Sequence, residues 1–372
     1  MNGKEDIVYI PFDIMENFMT DVLISSGIIE EDARIISDVL IEADKLGIDS
    51  HGIGRLKSIY YDRIKDGIVN PVTKINVLKD TPTTAVLDAN NGMGHVVSYK
   101  AMNMAIDKAK QYGMGMCAVT NSSHFGIAGY YANMATKNGM IGIVGTNARP
   151  SVAPTFGVEN MLGTNPLTLG VPTDEEFDFL LDCATCITQR GKIEKYEREG
   201  KDTPVGLVID DNGNALTDTP KILDDLVKGK AALTPLGGIG EDTAGYKGYG
   251  YSVFVEILSA ALQNGPYMKL LNGFDEEGKK IPYRLGHFFI AINTEFFMGE
   301  KVFRTVAGNI LRELRASKKM PSQERIYTAG EKEYLTYLYR KDKGVPVGSA
   351  LKKQMVHMRD EKKLDYKFVF EK

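Results

Sequence analysis

Two short histidine-bearing stretches carry the side chains best suited to chemistry. The first is Asp49-Ser50-His51-Gly52, with Arg55 one helical turn further on; the second is Asn121-Ser122-Ser123-His124-Phe125-Gly126. Oxidising a secondary alcohol needs a base that takes the hydroxyl proton while hydride departs, and an imidazole titrates near neutrality. A substrate carboxylate is well held by arginine, whose planar fork matches two oxygens. His51 and Arg55 share a face if a helix begins by His51, and Ser50 can orient the imidazole or hold the substrate. His124 follows an expected buried strand and precedes an expected helix. Ligands of open α/β sheets favour that place, and helix amino termini favour anions. Residue type alone leaves a plainer reading open for each: His51 as a helix cap, His124 as a hydrogen-bonded loop histidine. His95, His287 and His357 lack polar neighbours in sequence and are expected to be structural.

Other groups add to this. Cys183-Ala184-Thr185-Cys186 has the spacing of a zinc or redox pair, but no second pair accompanies it, Cys117 is remote, and no metal is expected. Asp182, at the end of an apolar strand, is a carboxylate that could orient a histidine as the third member of a triad does. Gly245-Tyr246-Lys247-Gly248-Tyr249-Gly250 precedes a long apolar stretch. Its glycines allow close backbone approach and Lys247 could meet a phosphate or a ribose hydroxyl, or the segment is a solvated turn. The Gly-x-Gly-x-x-Gly of a Rossmann enzyme is missing. The nearest match, Gly92-Met93-Gly94-His95, lacks the third glycine, so a dinucleotide would sit on another fold.

The elements that must position these groups follow from periodicity. Residues 13–29 and Glu31 to Leu46 read as helices, the latter with Ile35, Ile36, Val39, Leu40 and Ala43 on one stripe and Gly47 as its cap. A helix is expected from about Arg55 to Lys65. The first 70 residues are thus a helical unit. Beyond Pro71, strands at Ile75–Val77, Thr84–Leu87, Met116–Thr120 and Met140–Thr146 alternate with helices at Tyr99–Gln111 and Ile127–Lys137, an α/β layer. Ser122 or Ser123 is expected to cap the helix that follows His124. Leu167–Val171, Phe179–Leu181, Gly206–Asp210 and His287–Asn293 read as further strands, Tyr249–Leu262 and Glu300–Ser317 as helices, and the tail after Lys332 as helical.

Composition agrees with an enzyme. At 372 residues the chain exceeds one ordinary core, so two domains are expected. A net charge of −4 with interspersed signs argues against a phosphate-backbone binder. The polar start Met1–Asp6 is a poor secretory signal, and the most apolar stretch, Ser252–Leu262, contains Glu256 and is too short to span a membrane. With only three cysteines, a cytoplasmic location is expected.

Taken together these segments resemble the malate/L-lactate dehydrogenase family that is unrelated to the Rossmann-type enzymes. Its members include sulfolactate and ureidoglycolate dehydrogenases and cyclic imine reductases. The matching segments are Asp49-Ser50-His51-Gly52 with Arg55, Ser123-His124-Phe125-Gly126, Gly163-Thr164-Asn165-Pro166, Asp182-Cys183-Ala184-Thr185, Gly191-Lys192 and Lys247-Gly248-Tyr249-Gly250, in family order. The resemblance implies an α/β (α+β) fold class: a non-Rossmann cofactor domain with a mixed sheet (81–299) and a mostly helical domain built from both chain ends (1–80 and 300–372). It implies a homodimer with the site near the interface. It also implies roles. His51 is the acid/base, supported by a relay of Ser50 and Asp182, with His124 a competing proton acceptor. Arg55 and Thr164 match substrate-carboxylate positions. Ala148, Asp182, Cys183, Ala184, Lys247, Gly330, Glu331 and Lys332 match cofactor contacts. Asn147-Ala148-Arg149-Pro150 looks most like the malate-oxidising branch, with Arg149 on the second carboxylate. The expected function is interconversion of malate and oxaloacetate with NAD or NADP, NAD being favoured. The alternatives are reduction of another 2-oxo acid or a cyclic imine acid and, in a different class, a nucleotide-binding regulator without catalysis. Cys183 and Cys186 stand where methionine and serine are usual.

Overall fold

The computed structural model describes residues 7–371; the stretch Met1–Asp6 lies outside them. In chain order the strands are β1 (Val8–Ile10), β2 (Asn76–Asp80), β3 (Thr84–Asp88), β4 (Met114–Ser122), β5 (Met140–Thr146), β6 (Leu167–Val171), β7 (Phe179–Cys183), β8 (Val208–Asp210), β9 (Ala231–Leu233), β10 (Leu285–Asn293) and β11 (Val345–Val347). The helices are α1 (Phe12–Ser25), α2 (Glu30–Lys45), α3 (Ile53–Arg55), α4 (Asp62–Lys65), α5 (Gly94–Tyr112), α6 (Ala128–Thr136), α7 (Arg190–Arg198), α8 (Thr219–Lys228), α9 (Gly245–Ala260), α10 (Glu300–Ala316), α11 (Glu331–Arg340) and α12 (Ser349–Lys362). No helix among the described residues is long and apolar enough to cross a membrane.

Seven strands form one mixed sheet in the order β2-β3-β4-β10-β5-β6-β7. Only β3 and β4 run parallel, joined by α5; every other neighbour is antiparallel. Such an order has no Rossmann crossover, which accounts for the missing glycine fingerprint. Buried side chains of α5 and α6 pack with Phe289 and Ala291 of β10 into one core. Helix α9 lies against β4, β5 and β10.

A second core joins the two chain ends. Ile10, Phe18, Val22, Ile36 and Leu40 pack with Val345, Val347, Met355 and Phe368, and β1 pairs with β11. The long stretch between β5 and α9 makes a third, smaller core around Val152, Ile193, Val208 and Ile222, which periodicity did not foreshadow. Helix α10 does not follow the boundary expected at residue 300. Arg304 donates to Thr173 O at 3.0 Å, and Arg312 pairs with Asp174 at 2.9 Å, so it is tied to the β6–β7 connection.

Four local expectations are corrected. The helix expected from Tyr99 starts at Gly94, and the Gly245–Gly250 segment is the first turn of α9, not a loop before it. Neither Ser122 nor Ser123 caps α6, whose N-cap is Ile127. Ser123 Oγ instead accepts from Gly94 N at 3.0 Å at the start of α5, and Ser122 Oγ faces His287 Nε2 at 2.8 Å. His287 therefore has polar company after all; its other nitrogen meets Thr146 Oγ1 at 2.7 Å, and the ring is a fully satisfied buried tie between β10 and its neighbours.

Candidate active site

A cavity of about 360 Å³ opens where the end-built helical core meets the sheet. Ser50, His51, His124 and Gly126 line it together with Asn147, Ala148, Thr164, Asp182, Cys183 and Ala184.

The His51 loop is held from three directions. Helix α2 ends before Gly47, and the backbone turns so that His51 N donates to Ile48 O at 2.9 Å. Helix α3 starts only at Ile53, so His51 precedes the helix, and the shared helical face expected for His51 and Arg55 does not exist. Instead Arg55 Nε folds back and donates to Ser50 O at 2.5 Å. Beneath, the fully buried Asp44 carboxylate accepts Ile53 N at 2.8 Å. Burial pushes its carboxyl up to about 8, with that bond opposing the shift. From the carboxy-terminal side, Arg340 forks Asp49 at 2.5 and 3.0 Å and donates to Asp44 O at 2.6 Å. Within the loop, Ser50 Oγ lies 2.8 Å from His51 Nδ1.

His124 follows β4. Its Nδ1 meets Tyr60 Oη at 2.7 Å and accepts Gly126 N at 3.3 Å. Because a backbone N–H points at Nδ1, the ring proton sits on Nε2. The two imidazoles face one another, centroids 5.6 Å apart and planes inclined by 24°. Burial, then Arg55, lowers His51 to about 4. Burial, then His51, lowers His124 well below its usual value. Both rings are neutral at pH 7.

Tyr60 was not foreseen as part of the site. An α-helix would carry it off the Arg55 face, but Leu56–Tyr61 is a π-helical stretch, which inserts one residue and swings Tyr60 inward. No side-chain pattern announces that insertion. Gln189 and Glu333, also on the cavity wall, were likewise unforeseen.

Asp182 lies in the cavity, yet it is not a relay partner. Its Oδ2 accepts Gly129 N at 2.7 Å and its Oδ1 accepts Thr168 Oγ1 at 2.8 Å. Among the described residues neither histidine is among its partners. The carboxylate is engaged at the amino terminus of α6, where unpaired N–H groups attract it. Burial raises its carboxyl, opposed by those two bonds.

The remaining expected residues are dispersed. Thr164 lines the cavity, its carbonyl accepting Thr185 N at 3.0 Å. Arg149 is exposed outside it, beside Ala148. Lys247 lies in a separate shallow hollow with Tyr246, Tyr251 and Phe254 on α9. Gly330 lies in an adjoining groove of about 540 Å³ that shares Glu333 with the first cavity and carries Phe177, Tyr334, Tyr337 and Lys341. Glu331 turns away to pair with Arg325 and to accept Thr328 N at 3.1 Å, while Lys332 lies over the Tyr327 ring. Cys186 is buried with Sγ near Thr188 O, and Cys183 is half-buried on the cavity wall.

Comparison with known proteins places this arrangement. The family profile described as malate/L-lactate dehydrogenase matches residues 10–356. Malate dehydrogenase of Pyrococcus horikoshii is 43% identical over 343 residues, 92% of either chain. L-sulfolactate dehydrogenase of Methanocaldococcus jannaschii is 38% identical over 348 residues, 93% of this chain and 95% of that one. The crystal structure of malate dehydrogenase from Entamoeba histolytica superposes with a TM-score of 0.94 at 45% identity, covering 98% of this chain and all of that one. The matches extend over both cores and every wall of the cavity, and the chain belongs to the malate/L-lactate dehydrogenase family.

Proposed function

We propose that this protein interconverts malate and oxaloacetate, with a nicotinamide dinucleotide, NAD before NADP, as hydride carrier. The observation that carries the reading is the pair of neutral imidazoles, His51 and His124, stacked in one cavity that Ala148 and Thr164 also line. The cavity and its adjoining groove suit a dinucleotide: together they are elongated, with aromatic rings and a lysine at the far end near Gly330. When bound, the nicotinamide supplies the hydride acceptor. His51, oriented by Ser50, takes the hydroxyl proton as the substrate carbon loses hydride and its C–O bond becomes a carbonyl. The Nε2–H of His124 donates to the same oxygen. Arg55 does not line the cavity; anchored through Nε to Ser50 O, it has its terminal nitrogens for the substrate carboxylate, which Thr164 meets as well, and Arg149 takes the second carboxylate. Asp182 supports the cofactor side by fixing the start of α6 and, with Cys183 and Ala184, forms its wall.

The test is loss of reduced-nicotinamide absorbance with NADH and with NADPH, using oxaloacetate, pyruvate and a cyclic imine acid in parallel. Fast turnover of oxaloacetate is expected. Activity confined to another acceptor moves the substrate while keeping hydride transfer. In Arg149→Ala, oxaloacetate turnover drops about tenfold or more while pyruvate turnover is spared, a charged hydrogen bond being at stake. Equal loss on both acids removes Arg149 from the substrate site. Sulfolactate, the substrate named for the M. jannaschii relative, is a second candidate because it too carries two anionic groups.

We further propose a cytoplasmic homodimer. Three free thiols suit a reducing compartment. Helix α9 exposes Tyr251, Phe254 and Ile257, each at least half exposed, an apolar face that a second copy would cover. That face adjoins Lys247, which a dimer brings to the site only if the interface lies here. Sedimentation velocity should give twice 41.0 kDa, and Phe254→Asp should shift it toward the monomer; an unshifted dimer moves the interface elsewhere.

A further inference from the structure

Helix α9 is amphipathic in an unusual sense. It exposes Tyr251, Phe254 and Ile257 but buries Ser252, Glu256 and Ser259 toward the sheet. Glu256 is 3% exposed, and among the described residues no cation neutralises it. A buried carboxylate without a countercharge is costly and persists only when hydrogen bonds hold it. Here they do. Asn165 Nδ2 donates to Oε2 at 2.7 Å and Met268 N donates to Oε1 at 2.9 Å. Burial raises the carboxyl, and these donors, with the nearby Asn147 side chain, oppose the shift.

The two asparagines are the link to the cavity. Asn165 directly follows Thr164, sits at the strained φ of 37°, and also donates to Ser252 O at 3.2 Å. Its own carbonyl accepts Thr185 Oγ1 at 2.9 Å, on the strand that continues from Cys183. Asn147 directly precedes Ala148, accepts Gly286 N at 2.9 Å and donates to Pro266 O at 3.2 Å. The Glu256 carboxylate therefore holds, at Asn165, the loop that carries Thr164 of the cavity lining, and lies near Asn147, which precedes Ala148. A left-handed asparagine is strained, and this external tie holds the turn.

We propose that Glu256 is a positioning residue for substrate binding: through Asn165 it sets the place of Thr164 on the cavity wall. It touches no reacting atom. Its effect is to keep Thr164 where a substrate carboxylate meets it, so the inference rests on the 2-oxo-acid reading given above.

The variant is Glu256→Gln, which keeps size and places an N–H against a donor, losing one of the two bonds. The expected result is a KM for oxaloacetate raised about tenfold with kcat changed less than about threefold, and an NADH dissociation constant within about twofold of wild type. Thr164→Ala alone should raise KM similarly. In the double variant the second substitution should add almost nothing, because one acts through the other. A KM unchanged in a Glu256→Gln protein of wild-type circular dichroism overturns the inference, as do fully multiplicative effects in the double variant or a loss confined to apparent kcat that follows loss of folded protein. A wild-type protein inert toward oxaloacetate with both nucleotides overturns the functional reading itself, before any variant is made.

Discussion

Replacing His51 by Gln lowers kcat for malate oxidation by about 10²–10⁴-fold, the usual worth of a positioned acid/base, with little change in nucleotide affinity. The imidazole sits on the cavity wall with Nδ1 tied to Ser50 Oγ, and a glutamine keeps the volume but cannot accept a proton. The pH profile carries the second half of this expectation. Burial and Arg55 hold His51 at about 4, so the base is already unprotonated throughout the neutral range. A base works in its unprotonated form, so kcat/KM, which reports the free enzyme, should stay flat from pH 8 to 6 and fall only as pH approaches 4. A midpoint near the ordinary imidazole value would show His51 solvated and sink the assignment. Measurements belong above about pH 5. His51, His95 and His287 are lowered to about 4, 3 and 3 by burial, so the unfolded chain takes up protons near 6.5 that the folded one refuses. Their contribution to stability is present above 6.5 and is lost as pH falls toward their folded values. If instead kcat of His51→Gln falls less than tenfold while His124→Gln loses the full factor, the two imidazoles exchange roles.

Gly94→Ala is expected to damage both the fold and the site. A Cβ there would lie 2.3 Å from Ser123 O and 2.6 Å from His124 O, both backbone atoms that a rotamer change cannot move. Gly94 opens α5, and its N–H donates to Ser123 Oγ, so helix start and histidine loop are packed without room between them. Relief requires displacing the His124 backbone. Overpacking of this kind costs about 1–3 kcal/mol, and displacing a catalytic group by ~1 Å costs about 100-fold in rate. A lower melting temperature together with a loss in kcat/KM of that order is therefore expected. Gly191→Ala is the control: it lies in α7 with nothing within 4 Å of the new methyl and should be neutral or slightly stabilising. A Gly94→Ala enzyme as active and as heat-stable as the control would mean that the loop yields freely, and the close approach would then have no bearing on His124.

The same contact explains Gly92-Met93-Gly94. Read as sequence, the glycines looked like an incomplete dinucleotide fingerprint. In the fold Gly94 lies against the His124 loop and Gly92 against the Thr73 backbone, and no phosphate is needed to account for either.

Local periodicity was enough to place most of the helices and strands: α2, β3, β5, β6 and α10 each lie within a residue or two of where the sequence puts them. The reason is that one face of each meets a core or another element, so hydrophobic spacing records its geometry. The loop positions of His51 and His124 were legible for the same reason, because loops are what remain between such faces. The family motifs carried the mixed α/β class and the dehydrogenase family. Tertiary structure alone decided the rest. That Asp182 caps α6 instead of orienting a histidine depends on β7 running beside the start of that helix. Tyr60 reaches His124 through a π-helical insertion, and Glu256 on α9 reaches Asn165 ahead of β6. Each is a hydrogen bond between residues far apart in sequence, and such pairings leave no trace in spacing or composition because neither partner's neighbours constrain the other.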